Sequence, residues 1–340
     1  MIGYLPTIYD GELLGSWISR AYAHSPYISS SSFRKTIFSK ENESLDYHFY
    51  NSYNSEFKQL LEDTYGLYNL INNHTLFTYY SAFLPTEKKR AALQMALDLQ
   101  PFISKNISYP LRQGKTLYVR YCPLCVKSHK EPYFVREAQI EINYCPTHFC
   151  HYRNTQIKID KEKLIEFKSM DQVDFDFSNI EIINENDINI RVAKYITEFI
   201  NAKPNYDNNV PIGAFLSARI ENTIYIKGHR GGKKNLDLLL SDLNDFYQGL
   251  ETFRINKSRL ALIMRGKYIN VYDILLISFF LHINIQDLIH PYLPPKSQLE
   301  LFDNKVLDMH KQGKNYLQIS KELNVDKETI RQICLGTYFK

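Results

Sequence analysis

The chain has 340 residues, 44% of them hydrophobic, which is enough for a buried core and allows roughly two or three domains. Glycine and proline are scarce at 13 each, which excludes a fibrous or low-complexity chain. The 41 basic and 37 acidic residues give a formal charge of +4. This balance permits nucleic-acid binding without arguing for it, because affinity for phosphate depends on local patches.

The cysteines and the N-terminus predict a cytoplasmic protein. Four of the five cysteines fall within residues 122–150, unlike the pattern of a secreted disulfide scaffold. The N-terminus lacks the basic and apolar regions of a signal peptide. The longest apolar stretch, Ile274 to Leu281, is shorter than the about 20 residues that a membrane helix needs. We therefore expect no membrane anchor.

The first segment, residues 1–115, is predicted to be an N-terminal helical domain. Helices are expected at 10–22, 54–64 and 86–98, and Asp10 is the predicted N-cap of the first one. The apolar face of that first helix consists of Leu13, Leu14, Trp17, Ile18 and Ala21.

The second segment, residues 116–152, has the spacing of a zinc knuckle. A C-x2-C pair is followed, after nineteen residues, by a C-x2-H pair, and the four predicted ligands are Cys122, Cys125, Cys145 and His148. Thiolate and imidazole ligands suit one tetrahedral Zn²⁺, and four protein ligands leave no open position, so we predict a structural site. Cys150 or His151 could replace His148, and His129 is predicted to be a loop residue.

The third segment, residues 153–295, is predicted to be a middle helical domain. It opens with an acidic, strand-rich linker around 164–190, and the prolines after residue 290 mark its end. We find no internal repeat at a fixed period. Helices are predicted at 191–202, 235–249, 257–265 and 270–281.

Two basic stretches of this segment are candidates for phosphate contacts. Residues 227–235 form a glycine-rich loop that lacks the P-loop spacing, with Arg230 and Lys233 as the candidates and a solvated hairpin tip as the alternative. Residues 253–267 form a basic helical run whose alternative is a solvated helix face. The cations of that run are Lys257, Arg259, Arg265 and Lys267.

The fourth segment, residues 296–340, has the spacing of a helix-turn-helix. One helix ends at Gly313, a second is predicted over about 316–323, and Asp326 caps a third. The residues predicted to pack between them are Ile319, Leu323, Val325 and Ile330. Arginine and glutamine contact base edges and lysine binds phosphate, so DNA contacts are predicted, with a protein-docking unit as the alternative. These contacts are Lys314, Lys327, Thr329, Arg331 and Gln332.

No catalytic motif stands out. The sequence contains no G-x-S-x-G, no H-E-x-x-H and no reactive cysteine beside a convincing base, so we predict a protein that is not an enzyme. The rival in the enzyme class is a zinc-dependent hydrolase, which would need an open coordination position and a nearby base.

Three pieces of the first 150 residues, in order, resemble the TniQ/TnsD family of transposon target-site selectors. They are LPTIYDGELLGSWISRAY (5–22), HTLFTYYSAFLP (74–85) and the run from RYCPLC through EPYF-x-R-E-x-Q to CPTH. The family often has histidine where Ala138 stands, which puts any shared role of that position in doubt.

The resemblance implies small helical units around a zinc knuckle, and an adaptor that marks target DNA. Such an adaptor recruits a TnsC-type AAA+ ATPase, which in turn brings the transposase. TnsD-like members bind a fixed attachment sequence in double-stranded DNA, whereas shorter members dock on a CRISPR RNA-guided effector complex. The predicted helix-turn-helix favours direct binding, with the CRISPR-associated adaptor as the alternative. In sum, the sequence predicts a mainly α, multi-domain protein with a zinc knuckle and a C-terminal helix-turn-helix.

Overall fold

The computed structural model describes most of the chain between residues 5 and 335. The residues that it leaves out inside this range are 41–42, 44, 101–116, 160–167, 203–204, 206, 208–209, 222, 228–232, 268 and 294–295. The chain divides into two compact units, Met1–Asp207 with Gly249–Thr252, and Asn208–Gln248 with Phe253–Lys340. The four-part division predicted from the sequence stays a prediction.

In the part of the chain that the structure describes, the first unit is built from helices and one pair of antiparallel strands. The strands are β1 (Leu117–Tyr121) and β2 (Arg153–Ile159), with Tyr121 opposite Arg153. The predicted helices at 54–64, 86–98 and 191–202 are confirmed within a few residues at their ends. The helices are α1 (Leu14–Ala23), α2 (Ser30–Ile37), α3 (Ser55–Tyr65), α4 (Leu67–His74), α5 (Phe77–Ser81), α6 (Thr86–Leu97), α7 (Pro123–Ser128) and α8 (Ile188–Asn201).

The start predicted for the first helix is wrong. Helix α1 begins at Leu14, its N-cap is Leu13, and Asp10 does not cap it. Gly11 has φ +68°, and the backbone on both sides of it bonds to another segment instead of coiling. The Leu13 N–H donates to the Phe134 carbonyl at 2.9 Å, and the Arg136 N–H donates to the Gly11 carbonyl at 3.0 Å.

The predicted strand-rich linker is also wrong over its described part, residues 168–187. This stretch contains a short 3₁₀ turn, Met170–Gln172, and a single bridge between Cys150 and Ile182. Side chains satisfy its backbone in place of a strand partner. The Tyr121 hydroxyl and the Arg153 guanidinium both donate to the Asp176 carbonyl, at 3.1 and 3.0 Å.

Over its described residues, the second unit is helical apart from one short antiparallel pair, β3 (Ile226–Lys227) and β4 (Lys233–Lys234). The predicted helices at 235–249, 257–265 and 270–281 are confirmed as helices, the first of them three residues shorter at its end. The helices are α9 (Ile212–Arg219), α10 (Leu236–Phe246), α11 (Lys257–Met264), α12 (Val271–Phe280), α13 (Ile285–Ile289), α14 (Lys296–Lys311), α15 (Tyr316–Leu323) and α16 (Lys327–Cys334). The mainly α class is confirmed, and no described helix is long and apolar enough to cross a membrane.

The last three helices, α14, α15 and α16, enclose a small apolar core of their own. Asn324 follows α15 in the left-handed conformation, with φ +51°, and the Asp326 carboxylate accepts the Thr329 N–H at 3.0 Å as the predicted N-cap. The buried core residues are Val306, Met309, Ile319, Val325, Ile330 and Ile333.

Candidate metal centre

Four side chains of the first unit converge on one point. The Sγ atoms of Cys122, Cys125 and Cys145 and a ring nitrogen of His148 all lie within 4.8 Å of one another. Two of the cysteines are buried, and the other two residues are half-buried. The cluster could hold a metal ion.

The first pair of ligands lies where β1 passes into α7. Cys122 is the N-cap of this short helix and Pro123 is its first residue, a position where the missing proline N–H costs nothing. The Cys125 N–H therefore points back and donates to the Cys122 Sγ at 3.4 Å. The result is a knuckle turn in which a backbone N–H is directed at a sulfur.

The second pair of ligands lies in a tight turn just before β2. The Phe149 N–H donates to the Cys145 carbonyl at 2.9 Å, and Phe149 itself has φ +56°. A bridge between Tyr144 and His151 closes this turn. Since β1 and β2 are paired, the two turns are held at the same end of the strand pair.

The spacing of the donor atoms fits one tetrahedral zinc ion. Zn–S bonds of about 2.3 Å and a Zn–N bond of about 2.05 Å place sulfurs roughly 3.8 Å apart and a sulfur roughly 3.5 Å from the nitrogen. The Cys125 and Cys145 Sγ atoms are 3.8 Å apart. The His148 Nδ1 lies 3.6, 3.2 and 3.7 Å from the Sγ atoms of Cys122, Cys125 and Cys145.

The proximity of the thiols shifts their pKa values in opposite directions. Hydrogen bonds from the Cys125, Cys145 and Cys150 thiols lower the pKa of Cys122, and the contact with Cys122 raises the pKa of Cys125. Metal binding requires the three ligand thiols to be deprotonated, so it should release protons. When bound, zinc would cross-link the two turns, and its four protein ligands would leave no position for a reacting water.

His148 belongs to the group of mutually close donor atoms, whereas Cys150 and His151 do not. The Cys150 Sγ lies 3.5 Å from the Cys122 Sγ but is not a member of the mutually close group. The exposed His151 directs its Nδ1 to the Tyr152 carbonyl at 2.8 Å and its Nε2 to Glu251 at 3.7 Å. His129 is an exposed residue whose ring lies 4.6 Å from the Tyr133 ring, as expected for a loop position.

A buried ion-pair network lies in the same unit and was not predicted from the residues alone. The Arg20 guanidinium donates to the Glu12 carboxylate at 2.7 Å and to the Glu131 carboxylate at 2.9 Å. The Arg20 guanidinium also lies 4.1 Å from the centre of the Tyr9 ring. The Trp17 indole donates to the Pro6 carbonyl at 2.6 Å. Glu12, Trp17 and Arg20 of the motif at 5–22 therefore have structural roles.

Residues of the motif at 74–85 and of the run from RYCPLC to CPTH pack into the same core. The His74 Nδ1 lies 2.8 Å from the Glu12 carbonyl oxygen, and the Arg136 guanidinium donates to the Asn72 carbonyl at 2.9 Å. The Gln139 side chain donates to the Arg120 carbonyl at 2.7 Å and accepts the Arg120 N–H at 2.9 Å. Ala138 is fully buried and is not one of the grouped donors.

Residues 4–151 match the TniQ family model. The chain carries a TniQ domain. The match spans the quoted motifs and all four grouped donors, so the resemblance to the TniQ/TnsD family is confirmed, and the domain associates this protein with transposition. No curated protein matches the chain.

The predicted DNA contacts lie outside the TniQ domain, and one of them needs correction. Lys327 and Arg331 are exposed on α16, and the Arg331 guanidinium binds the Glu328 carboxylate at 2.6 Å. Thr329 is only 1% exposed, because it lies on the inner side of the helix next to its N-cap Asp326. A buried side chain cannot reach a base edge, so Thr329 leaves the set of DNA contacts.

The other candidate cations are placed as follows. Lys314 pairs with Glu322 at 2.6 Å, and Lys257 pairs with Asp237 at 2.6 Å. Arg259 lies 3.9 Å from the buried carboxylate of Asp273. Arg230 and the side chains of Lys233 and Gln332 lie outside the described residues.

Proposed function

We propose that this protein is a non-catalytic target-site selector for a transposon. It would bind double-stranded DNA at the attachment site and recruit a TnsC-type AAA+ ATPase, which brings the transposase. The observation that carries this proposal is the TniQ domain over residues 4–151, together with a donor set that fits a closed structural Zn²⁺ site.

Direct DNA binding is proposed for the unit formed by α14, α15 and α16, acting as a helix-turn-helix. Its last helix presents Lys327 and Arg331 to solvent, and its three helices pack on a shared buried core. The Arg331–Glu328 pair is half-exposed, and such pairs contribute about 0–1 kcal/mol. A guanine that offers two acceptors can therefore displace Glu328 from the guanidinium.

The test is a binding selection of the zinc-loaded protein against random duplex DNA. We expect a recovered sequence motif, and we expect Arg331→Ala to relax it at one position at a cost of about 1–3 kcal/mol. Lys327→Ala should weaken binding to all sequences alike. Equal weakening on all sequences by Arg331→Ala would contradict the base contact.

Recruitment needs a separate measurement, because DNA binding and ATPase binding are independent properties. A TnsC-type ATPase encoded with this protein should bind it in a pull-down, with or without DNA. If the selection recovers no motif while the ATPase still binds, the protein is instead an adaptor that depends on a guide complex for its target.

A further inference from the structure

The turn between α15 and α16 occurs a second time in the chain. It recurs 42 residues earlier, between α12 and α13. The repeated residues are Ile277, Ser278, Leu281, Ile283 and Leu288, which correspond to Ile319, Ser320, Leu323, Val325 and Ile330. This repeat has too few identical residues to be visible in the sequence alone.

The backbone of the two turns is the same. His282 has φ +53° and Asn324 has φ +51°, so each turn begins with one left-handed residue. The next N–H donates back to the serine carbonyl, from Ile283 to Ser278 at 2.9 Å and from Val325 to Ser320 at 3.0 Å.

The side chains of the two turns also have the same roles. Ile283 is 4% exposed and Val325 is 1% exposed, so a β-branched residue closes the core in both turns. The following residue, Asn284 or Asp326, caps the next helix with its side chain.

The turn between α11 and α12 also matches the turn between α14 and α15. Gly266 (φ +65°) ends α11 and Gly313 (φ +84°) ends α14, and a lysine follows each glycine. The N–H groups of Lys267 and Lys314 donate to the Leu262 and Met309 carbonyls, at 2.9 and 3.2 Å. These bonds are the 6→1 bonds of a Schellman motif.

The three-helix groups α11–α13 and α14–α16 differ in their last helix. Helix α13 has five residues, and its Asp287 binds Arg219 at 2.8 Å, so this helix offers no cation to a base. The charge lies elsewhere: residues 253–290 contain five basic residues and two acidic ones, of which Asp273 is buried. Residues 296–340 contain eight basic and six acidic residues. Residues 253–290 therefore carry more net positive charge for their length than residues 296–340.

The turn at Gly266 packs against helix α9. A Cβ added at Gly213 of α9 would lie 2.5 Å from the Gly266 nitrogen, so the two backbones are in direct contact. The Ser217 hydroxyl donates to the Met264 carbonyl at 3.2 Å. Arg265 and Lys267, on either side of Gly266, are exposed, and neither has an ion-pair partner among the described residues.

We infer that α11, α12 and α13 form a second DNA-docking unit in which Arg265 and Lys267 bind phosphates of the duplex backbone. The inference rests on the proposed function, because it assumes that the protein binds DNA. It adds a sequence-independent contact to the base contact proposed for α16. Arg265 and Lys267 lie on a fixed turn and have no ion-pair partner among the described residues. Such a turn suits phosphate, which requires charge and position but no base pattern.

The test is a salt titration of DNA binding by the full, zinc-loaded chain, measured by fluorescence anisotropy. The probes are one duplex with the selected sequence and one with a scrambled sequence. Arg265→Ala/Lys267→Ala should lower the slope of log K against log salt by about 2 and weaken binding to both duplexes about ten-fold at low salt. The control, Lys40→Ala/Lys88→Ala, removes the same charge from two exposed positions of the first unit and should leave the slope unchanged.

Each outcome decides the inference. A wild-type slope in the Arg265/Lys267 variant would overturn it while leaving the proposed function intact, and so would a changed sequence motif. If the wild-type chain shows no salt-dependent binding, both proposals fail. A thermal melt checks the fold, and Arg265→Gln/Lys267→Gln replaces the alanine variant if that variant unfolds early.

Discussion

The Arg20 guanidinium and the Glu12 carboxylate form an ion pair at 2.7 Å with almost no exposure to solvent, at 4% and 0% for the two side chains. Burial raises the pKa of Glu12 to about 7, against the opposing effect of Arg20, so this carboxyl titrates near neutral pH. Arg20 also binds the Glu131 carboxylate at 2.9 Å, so it joins α1 to that segment, and the fold of the TniQ domain should depend on it.

Removing Arg20 should destabilise the TniQ domain strongly. Above about pH 7, where Glu12 is ionised, loss of Arg20 leaves a buried charge without compensation, which costs about 3–5 kcal/mol. Chemical denaturation of Arg20→Ala measures this cost, and Lys88→Ala, at an exposed position, should stay within about 0.5 kcal/mol of wild type. A loss below about 1 kcal/mol for Arg20→Ala would mean that the network is dispensable.

Glu12 should make stability fall as pH rises. Its pKa in the folded state, about 7, lies above the ordinary value of 4.5, so the folded protein holds a proton that the unfolded chain releases. The stability due to this proton is fully present below pH 4.5 and is lost as the pH rises to about 7. The difference in unfolding free energy between wild type and Glu12→Gln should therefore fall by about 3 kcal/mol over this window.

The comparison with Glu12→Gln cancels the pH dependence of the metal site, which both proteins share. Denaturant titrations at several pH values between 4.5 and 7.5 give the difference directly. If the difference grows with pH, Arg20 holds the carboxylate ionised, and the shift of the Glu12 pKa has the opposite direction.

Zinc should bind with a stoichiometry of one and stabilise the first unit. Mass spectrometry for metals on the purified protein should give one Zn²⁺ per chain, and a strong chelator should lower the melting temperature. Cys145→Ser and His148→Ala should lose the metal, whereas Cys150→Ser should keep it, because Cys150 lies outside the donor group. Retention of zinc by His148→Ala together with loss by Cys150→Ser would make Cys150 the fourth ligand.

Thr329 should contribute to folding and not to DNA specificity. It is 1% exposed, so Thr329→Val, which keeps the shape, should leave the selected DNA motif unchanged. Asp326→Ala, which removes the N-cap of α16, should destabilise the second unit by about 1 kcal/mol, and Asp308→Ala at an exposed position should have little effect. A change of motif in Thr329→Val would restore Thr329 as a base contact.

Local patterns in the sequence were sufficient for several features. The paired spacing of Cys122, Cys125, Cys145 and His148 indicated the donor set, because a tetrahedral metal imposes a strict pattern on close ligand pairs. Helix α15 and the cap at Asp326 also followed from local rules of capping and periodicity. Each of these depends on residues that are near one another in the chain.

Other features depended on contacts between distant segments, which periodicity does not encode. Helix α1 starts late because the Leu13 N–H bonds to Phe134, more than a hundred residues away. Thr329 faces inward although it was predicted to contact DNA.

The sequence by itself determined the donor group that could hold a metal and most helices, because both arise from short-range geometry. Only the tertiary structure decided the Arg20–Glu12 pair and the repeated turn at His282 and Asn324. A buried ion pair is specified by the packing around it, and a backbone conformation can be shared by turns with few residues in common.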